Sequence, residues 1–222
     1  MTPCHIELSQ LFFRGGIQVP KTTFANLPVE KKEKILASAR KEFSSTAFED
    51  VSINKIVKGA EIPRGSFYMY FIDKNDLLAL LLEEFRNQFV AFLSKKASRS
   101  KGNLHEMVVG THDFIVLASH NQENCGLIRN FLLYSAKNPE HIANRFFHNM
   151  MDNFIKLIDT SSFKEKDERY IREVVESSFA ILKETIHQTL VMNRPVKESH
   201  ECFERHLAIL ENGYLIKENE SC

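Results

Sequence analysis

The stretch from Val51 to Leu77, VSINKIVKGAEIPRGSFYMYFIDKNDL, limits what this chain can fold into more than any other part of it. Ser52 is a good N-cap, because its side-chain oxygen can accept a bond from a first-turn amide. The apolar residues that follow, Ile53, Ile56 and Val57, recur at the spacing of one helical face. That helix is predicted to fade at Gly59 and Ala60. After a short turn, Pro63 opens a second helix, where its missing N–H is no loss and its fixed φ is already suitable. The residues to Tyr70 continue it, and two short helices joined by such a turn make a helix-turn-helix.

At about 100° per residue, Phe67 and Phe71 share one face and should pack inward, while Gly65, Ser66, Tyr68 and Met69 point away, flanked by Arg64. A glycine, a hydroxyl, a phenol and a thioether are poor material for a core and good material for a groove. The helix from Arg64 to Tyr70 spans about 10 Å, which suits the roughly 12 Å width of the DNA major groove. Gly65 would let backbone come close to the duplex. Lys74, just past the helix, is placed for a phosphate.

The run Ala39, Phe43, Phe48, Ser52, Ile53, Ile56, Ala60, Ile62, Gly65, Ser66, Phe67, Tyr68, Tyr70, Phe71, Lys74, Leu77 resembles the N-terminal domain of the TetR/AcrR transcriptional regulators. The resemblance implies phosphate contacts for Tyr68, Tyr70 and Lys74, and base-edge or nearby contacts for Arg64, Ser66 and Met69. Ser52 and Lys55, at the start of the motif's first helix, complete the expected DNA-binding set with Gly65. The chain departs from the family pattern at Ala47 and Glu61, where glycine is frequent, and at Tyr70, where histidine is. Glu61 lies in the turn, where a positive φ would cost a non-glycine residue on the order of 1 kcal/mol. A phenol at Tyr70 can still hydrogen-bond a phosphate oxygen.

The formal charge is zero overall, yet residues 1–100 carry a net +4 and residues 101–222 a net −4, so the positive half holds the DNA motif. No run of 18 apolar residues occurs to span a membrane, and the first eighteen residues lack the pattern of a signal peptide. A cytoplasmic protein is expected. Residues 1–26 read as a flexible N-terminal extension. The codons for Arg14, Gly15 and Gly16 could hold a ribosome-binding sequence, with Val19 as the start and residues 1–18 lying upstream of it; intact mass of the native product is the check. Cys4, Cys125, Cys202 and Cys222 are widely spaced and show no metal-finger pattern. No G-x-S-x-G, Walker A or G-x-G-x-x-G sequence supports catalysis or nucleotide binding, so neither enzyme activity nor a cofactor is expected.

The rest reads as helices, giving an all-α chain. An N-terminal three-helix helix-turn-helix DNA-binding domain, residues 27–73, is joined by a long helix to a C-terminal helical ligand-binding and dimerisation domain, residues 74–222. Helices are expected at 28–45, 75–99, 104–119, 125–135, 140–159, 166–191 and 199–216, with polar or proline-bearing connections between them. The long helix at 75–99 would act as a rod between the domains. In the first helix, Leu36, Ala39 and Phe43 form the inner stripe, with charged residues on the solvated face.

An aromatic-rich effector site is expected from Phe114, Phe131, Tyr134, Phe147, Met150, Met151 and Phe154, with His112 and Asn130 as polar company. The same residues at helical spacing also suit an ordinary core. Few charges sit among them, which favours a largely apolar small molecule. In the family the last two helices of each subunit form a four-helix dimer interface, and the resemblance implies that role here for Val174, Val175, Ile181, Leu182, Phe203, Leu207 and Leu210. His105 with His112, and His141 with His148, are spaced to share helix faces, and His200 and His206 flank Cys202; no metal motif results, and no metal is expected. The reading that emerges is a homodimeric repressor, bound to a palindromic double-stranded operator and released by a small molecule. The alternatives are a regulator whose C-terminal domain binds a protein partner, and a helical metal protein built on the histidines.

Overall fold

The computed structural model describes residues 22–137 and 151–216. The fold is all-α, and its one short extended feature there is an isolated antiparallel bridge between Phe163 and Leu215. The predicted helix at 140–159 falls partly outside the described residues, as do Phe147, Met150, His141, His148, Cys4 and Cys222; residues 151–155 are helical. Two compact units arise, one from residues 22–89 with 118–137, the other from residues 90–117 with 151–216.

The first unit begins with α1 (Thr22–Ala25) and α2 (Val29–Ser45), followed by a 3-10 turn at Phe48–Asp50. Next come α3 (Ile53–Gly59), α4 (Arg64–Tyr70) and the long α5 (Lys74–Ser100). Ser52 caps α3 by accepting from the Lys55 amide at 3.4 Å. The helix ends in a Schellman motif: the Ile62 amide reaches the Val57 carbonyl at 3.0 Å and the Glu61 amide the Lys58 carbonyl at 3.2 Å. That motif places Glu61 at φ 55°, so the conformation that glycine would adopt freely is kept by a glutamate. An exposed ion pair from Lys34 to Glu61 at 2.9 Å, a charge-assisted hydrogen bond, holds the Glu61 carboxyl below its ordinary pKa.

Asp73 starts α5, accepting from the amides of Asn75 and Asp76 at 2.8 and 3.0 Å, and Asp76 reaches back to the Ile72 amide at 3.1 Å. The core of this unit gathers Phe24, Ile35, Ala39, Phe43, Phe48, Ile56, Phe67, Tyr70, Phe71 and Leu77. The predicted inner stripe shifts slightly: Ile35 is buried and Leu36 only partly so.

α7 (Gln122–Lys137) belongs to this unit too and packs along α2. A Cβ on Gly126 would lie 2.3 Å from the Ser44 carbonyl oxygen, so the two backbones touch where only glycine fits. One turn on, the Asn130 amide donates to the carbonyls of Phe43, Ser44 and Thr46 at 2.9, 3.2 and 3.0 Å. These are orphan acceptors at a helix end, and a side chain from another helix satisfies them. Tyr134 then lays its ring on Phe48, centroids 4.0 Å apart.

The second unit contains the last part of α5, α6 (Leu104–Ala118), α8 (Glu168–Leu190) and α9 (Val196–Tyr214). Gly102 makes the turn between α5 and α6 at φ 75°, and its carbonyl accepts from the Asp159 amide at 2.8 Å. α8 and α9 pack on one another and bury Val174, Val175, Leu182, Phe203 and Leu207. Among the described residues no helix is long and apolar enough to cross a membrane.

Candidate nucleic-acid interface

α4 is only seven residues long, too short to hold itself in helical form without tertiary anchors. Its anchors are Phe67 and the capping residue Phe71, both fully buried with ring centroids 5.3 Å apart. With that face fixed, Tyr68 is 42% and Met69 57% exposed, Arg64 and Gly65 are exposed, and Ser66 is half-buried. No side chain comes near the position of a Cβ on Gly65, so its front is open.

Arg64 is pre-set. One guanidinium nitrogen donates to the Asn54 carboxamide oxygen, and another donates to the Tyr68 hydroxyl at 3.3 Å. Asn54, Arg64 and Tyr68 therefore form one exposed polar cluster carried by both helices of the motif. Asn54 was not among the sequence candidates. It shows no apolar periodicity, and only the crossing of α3 and α4 puts it beside Arg64.

Four of the sequence candidates have other partners. Tyr70 is 6% exposed, its ring against Phe24 and Phe71 with centroids 6.2 and 6.4 Å away. It lies three residues after Phe67, so its ring shares the inner face. The Lys74 ammonium donates to the carbonyls of Phe48 and Glu49 at 2.8 and 2.7 Å and sits 5.0 Å from the Phe48 ring centre. It closes the 3-10 turn. We expect Lys74→Met to cost about 1–3 kcal/mol of stability and to leave the salt dependence of DNA binding unchanged; a flatter salt slope with an unchanged melting curve would restore the phosphate role.

Ser52 and Lys55 share Glu42, whose carboxylate accepts from the Ser52 amide at 3.1 Å and meets the Lys55 ammonium at 3.4 Å. The Lys55 side chain is still largely exposed beside this pair. Thr23 was also missed: its hydroxyl donates to the Met69 carbonyl, and Phe24 covers Tyr70 and Phe71. Residues 22–25, read from the sequence as part of a flexible extension, are thus a helical clamp on the end of α4.

The expected effector residues divide. Asn130, Phe131 and Tyr134 pack in the first unit, on α2 and its neighbours. His112, Phe114, Met151 and Phe154 belong to the second. There Phe154 is fully buried against Phe179, and Phe114 is half-buried against Phe92. Burial holds the His112 imidazole below its ordinary pKa, although Asp113 beside it pulls the other way. Of the expected interface residues, Val174, Val175, Leu182, Phe203 and Leu207 are buried within the protomer, and Ile181 and Leu210 are half-buried. A periodic stripe shows that a helix packs without showing against what; here the buried ones are used inside the chain. Ile209 on α9 is instead 70% exposed.

A family model for the bacterial regulatory proteins of the tetR family matches residues 35–81, and one for tetracyclin repressor-like C-terminal domains matches residues 103–214. Two uncharacterised HTH-type transcriptional regulators of Bacillus subtilis are similar in part. YdgC is 37% identical over 60 residues, 27% of this chain and 31% of its own length. YvdT is 36% identical over 84 residues, 38% of each. The chain thus spans about a third of the length of these curated relatives. A TetR-family regulator from Syntrophomonas wolfei superposes with a TM-score of 0.66 at 23% identity, over 84% of this chain and 97% of that one. SmeT, the repressor of the Stenotrophomonas maltophilia multidrug efflux pump SmeDEF, superposes in its triclosan complex with a TM-score of 0.65 at 15% identity, over 86% and 94%. These structural likenesses concern the fold. The two family models, one on the helix-turn-helix and one on half of the chain, show that this chain belongs to the TetR family of bacterial regulatory proteins.

Proposed function

We propose that the chain acts as a homodimeric repressor on a palindromic operator in the cytoplasm, released by a small-molecule effector. The observation that carries the DNA-reading part is the split of α4, which buries Phe67 and Tyr70 and leaves Arg64, Gly65, Tyr68 and Met69 in solvent. An exposed phenol edge and thioether on a short helix offer a duplex what a free surface does not need. In this reading Arg64, Ser66, Tyr68 and Met69 face base edges and nearby phosphates, with Asn54 holding Arg64 in place.

One short helix reads few base pairs. Two copies about 34 Å apart reach successive major grooves on one face of the duplex, which makes the operator a palindrome and the protein a symmetric dimer. The outer faces of α8 and α9, with Ile209 in solvent, suit that pairing better than the buried stripe. For the effector, the half-buried Phe114 and Met151 in the second unit are the better candidates, and the triclosan complex of SmeT supports a small molecule in this fold. Release requires only that the effector prefer one conformation over the other by about 1–3 kcal/mol.

The test is a gel-shift with DNA flanking the protein's own gene, using the wild type, Arg64→Ala and Tyr68→Ala. Specific, salt-sensitive retention is expected for the wild type, with each variant about 10- to 100-fold weaker, as for the loss of a base contact worth about 1–3 kcal/mol. Thermal melting should move little, since both side chains are exposed. Unchanged binding in both variants would remove α4 from the interface. A duplex holding one half-site should bind far more weakly than the palindrome, and equal binding would sink the dimeric part.

A further inference from the structure

The fold regroups the histidines in a way that their spacing does not suggest. In the second unit, His112 Nδ1 on α6 lies 3.1 Å from Asp113 Oδ1, and His200 Nε2 on α9 lies 3.6 Å from the same oxygen. The three donor atoms all fall within 4.8 Å of one another. His112 is 1% exposed and stacks on Phe203 with centroids 5.0 Å apart, so its ring cannot swing away, and the His200 ring meets it edge-on at 5.2 Å.

A further layer stands behind this group. Glu204 Oε1 is 3.9 Å from His200 Nε2, and its other oxygen is 3.0 Å from His105 Nε2. His105 in turn faces Glu211 at 3.3 Å. Glu204 faces the same His200 nitrogen that meets Asp113, so a second carboxylate stands beside the group, held on its far side by His105.

We propose that His112, Asp113 and His200 form a binding site for a divalent transition-metal ion of the zinc class. With metal–ligand bonds of about 2.0–2.2 Å, neighbouring ligand atoms in a tetrahedral site stand roughly 3.3 Å apart. The contacts of 3.1 and 3.6 Å bracket that edge, and the third edge, within 4.8 Å, closes as His200 moves toward His112. Two imidazoles with one carboxylate select zinc, cobalt or nickel over magnesium or calcium, which prefer oxygen ligands alone. Asp113 and His200 are open enough to solvent to admit the ion, and water fills the remaining positions. Bound there, the ion ties α6 to α9. The inference is independent of the operator reading and of the nature of the organic effector.

The test uses the full chain without a histidine tag, stripped with chelator and titrated with Co2+ alone, followed by visible d–d absorption and then by calorimetry with Zn2+. One ion per chain is expected. Asp113→Asn and His200→Gln, both at solvent-open positions, should weaken binding by about 100-fold or more with circular dichroism unchanged, because each removes a direct ligand. His206→Gln, exposed and outside the group, should bind as the wild type does. Absence of stoichiometric binding, or equal affinity in the Asp113 and His200 variants, would overturn the site and reduce the group to ordinary histidine–carboxylate contacts. Neither result bears on the gel-shift.

Discussion

Phe67→Ala is expected to cost about 3–5 kcal/mol, a large share of what holds a small helical unit together. The ring is fully buried and packs against Phe71 at 5.3 Å within a cluster that includes Phe24, Ile35 and Phe43. α4 has too few residues to persist by propensity alone, so removing its main anchor releases both the helix and the turn before it. Tyr68, one residue on, is 42% exposed, and its truncation should shift the melting midpoint far less while weakening DNA binding. Urea titrations of the two variants make the comparison. A small stability loss for Phe67→Ala with a large one for Tyr68→Ala would mean that the buried and exposed faces of α4 have been exchanged.

Gly126→Ala is the second large effect, expected at about 2–3 kcal/mol. Its new methyl group would stand 2.3 Å from the Ser44 carbonyl oxygen and 3.0 Å from the carbonyl carbon, and backbone cannot turn aside as a long side chain can. α7 would have to lift off α2, drawing the Asn130 amide away from the three carbonyls it satisfies and loosening Tyr134 from Phe48. Thermal melting of the intact chain should show this. A melting curve like that of the wild type would mean that the two helices do not meet so closely in solution.

Much of the motif could be read before any coordinates, because its causes are local. Ser52 as cap, Pro63 before the second helix, the inward Phe67 and Phe71 and the discomfort at Glu61 all depend on neighbours a few residues away, and all recur in the fold. What escaped depends on distant partners. Lys74 turns to the carbonyls of residues twenty-five and twenty-six positions earlier, which no helical period foretells. The burial of the Tyr70 ring was legible in principle, since its spacing from Phe67 puts it on the inner face. Phe24 and Thr23 lie in a short segment with no periodicity, and their value appears only once α4 is beside them. Asn130, Phe131 and Tyr134 look like pocket residues by composition, yet Asn130 ends a helix and the two rings extend a core. His112 and His200 are brought together by helix packing across nearly ninety residues of chain.

The return of α7 onto α2 also bears on how this protein could be recombined with others. A chimera cut at residue 73, where the sequence alone would place the joint, would carry off the helix-turn-helix without the glycine and asparagine that finish α2, leaving three carbonyls to water and a bare strip of apolar side chains. The transferable DNA-reading piece is discontinuous: it includes residues 118–137 as well as the stretch up to residue 89. A functional graft would have to transplant both segments together, or supply a host helix with a small residue and a carboxamide at the same two positions.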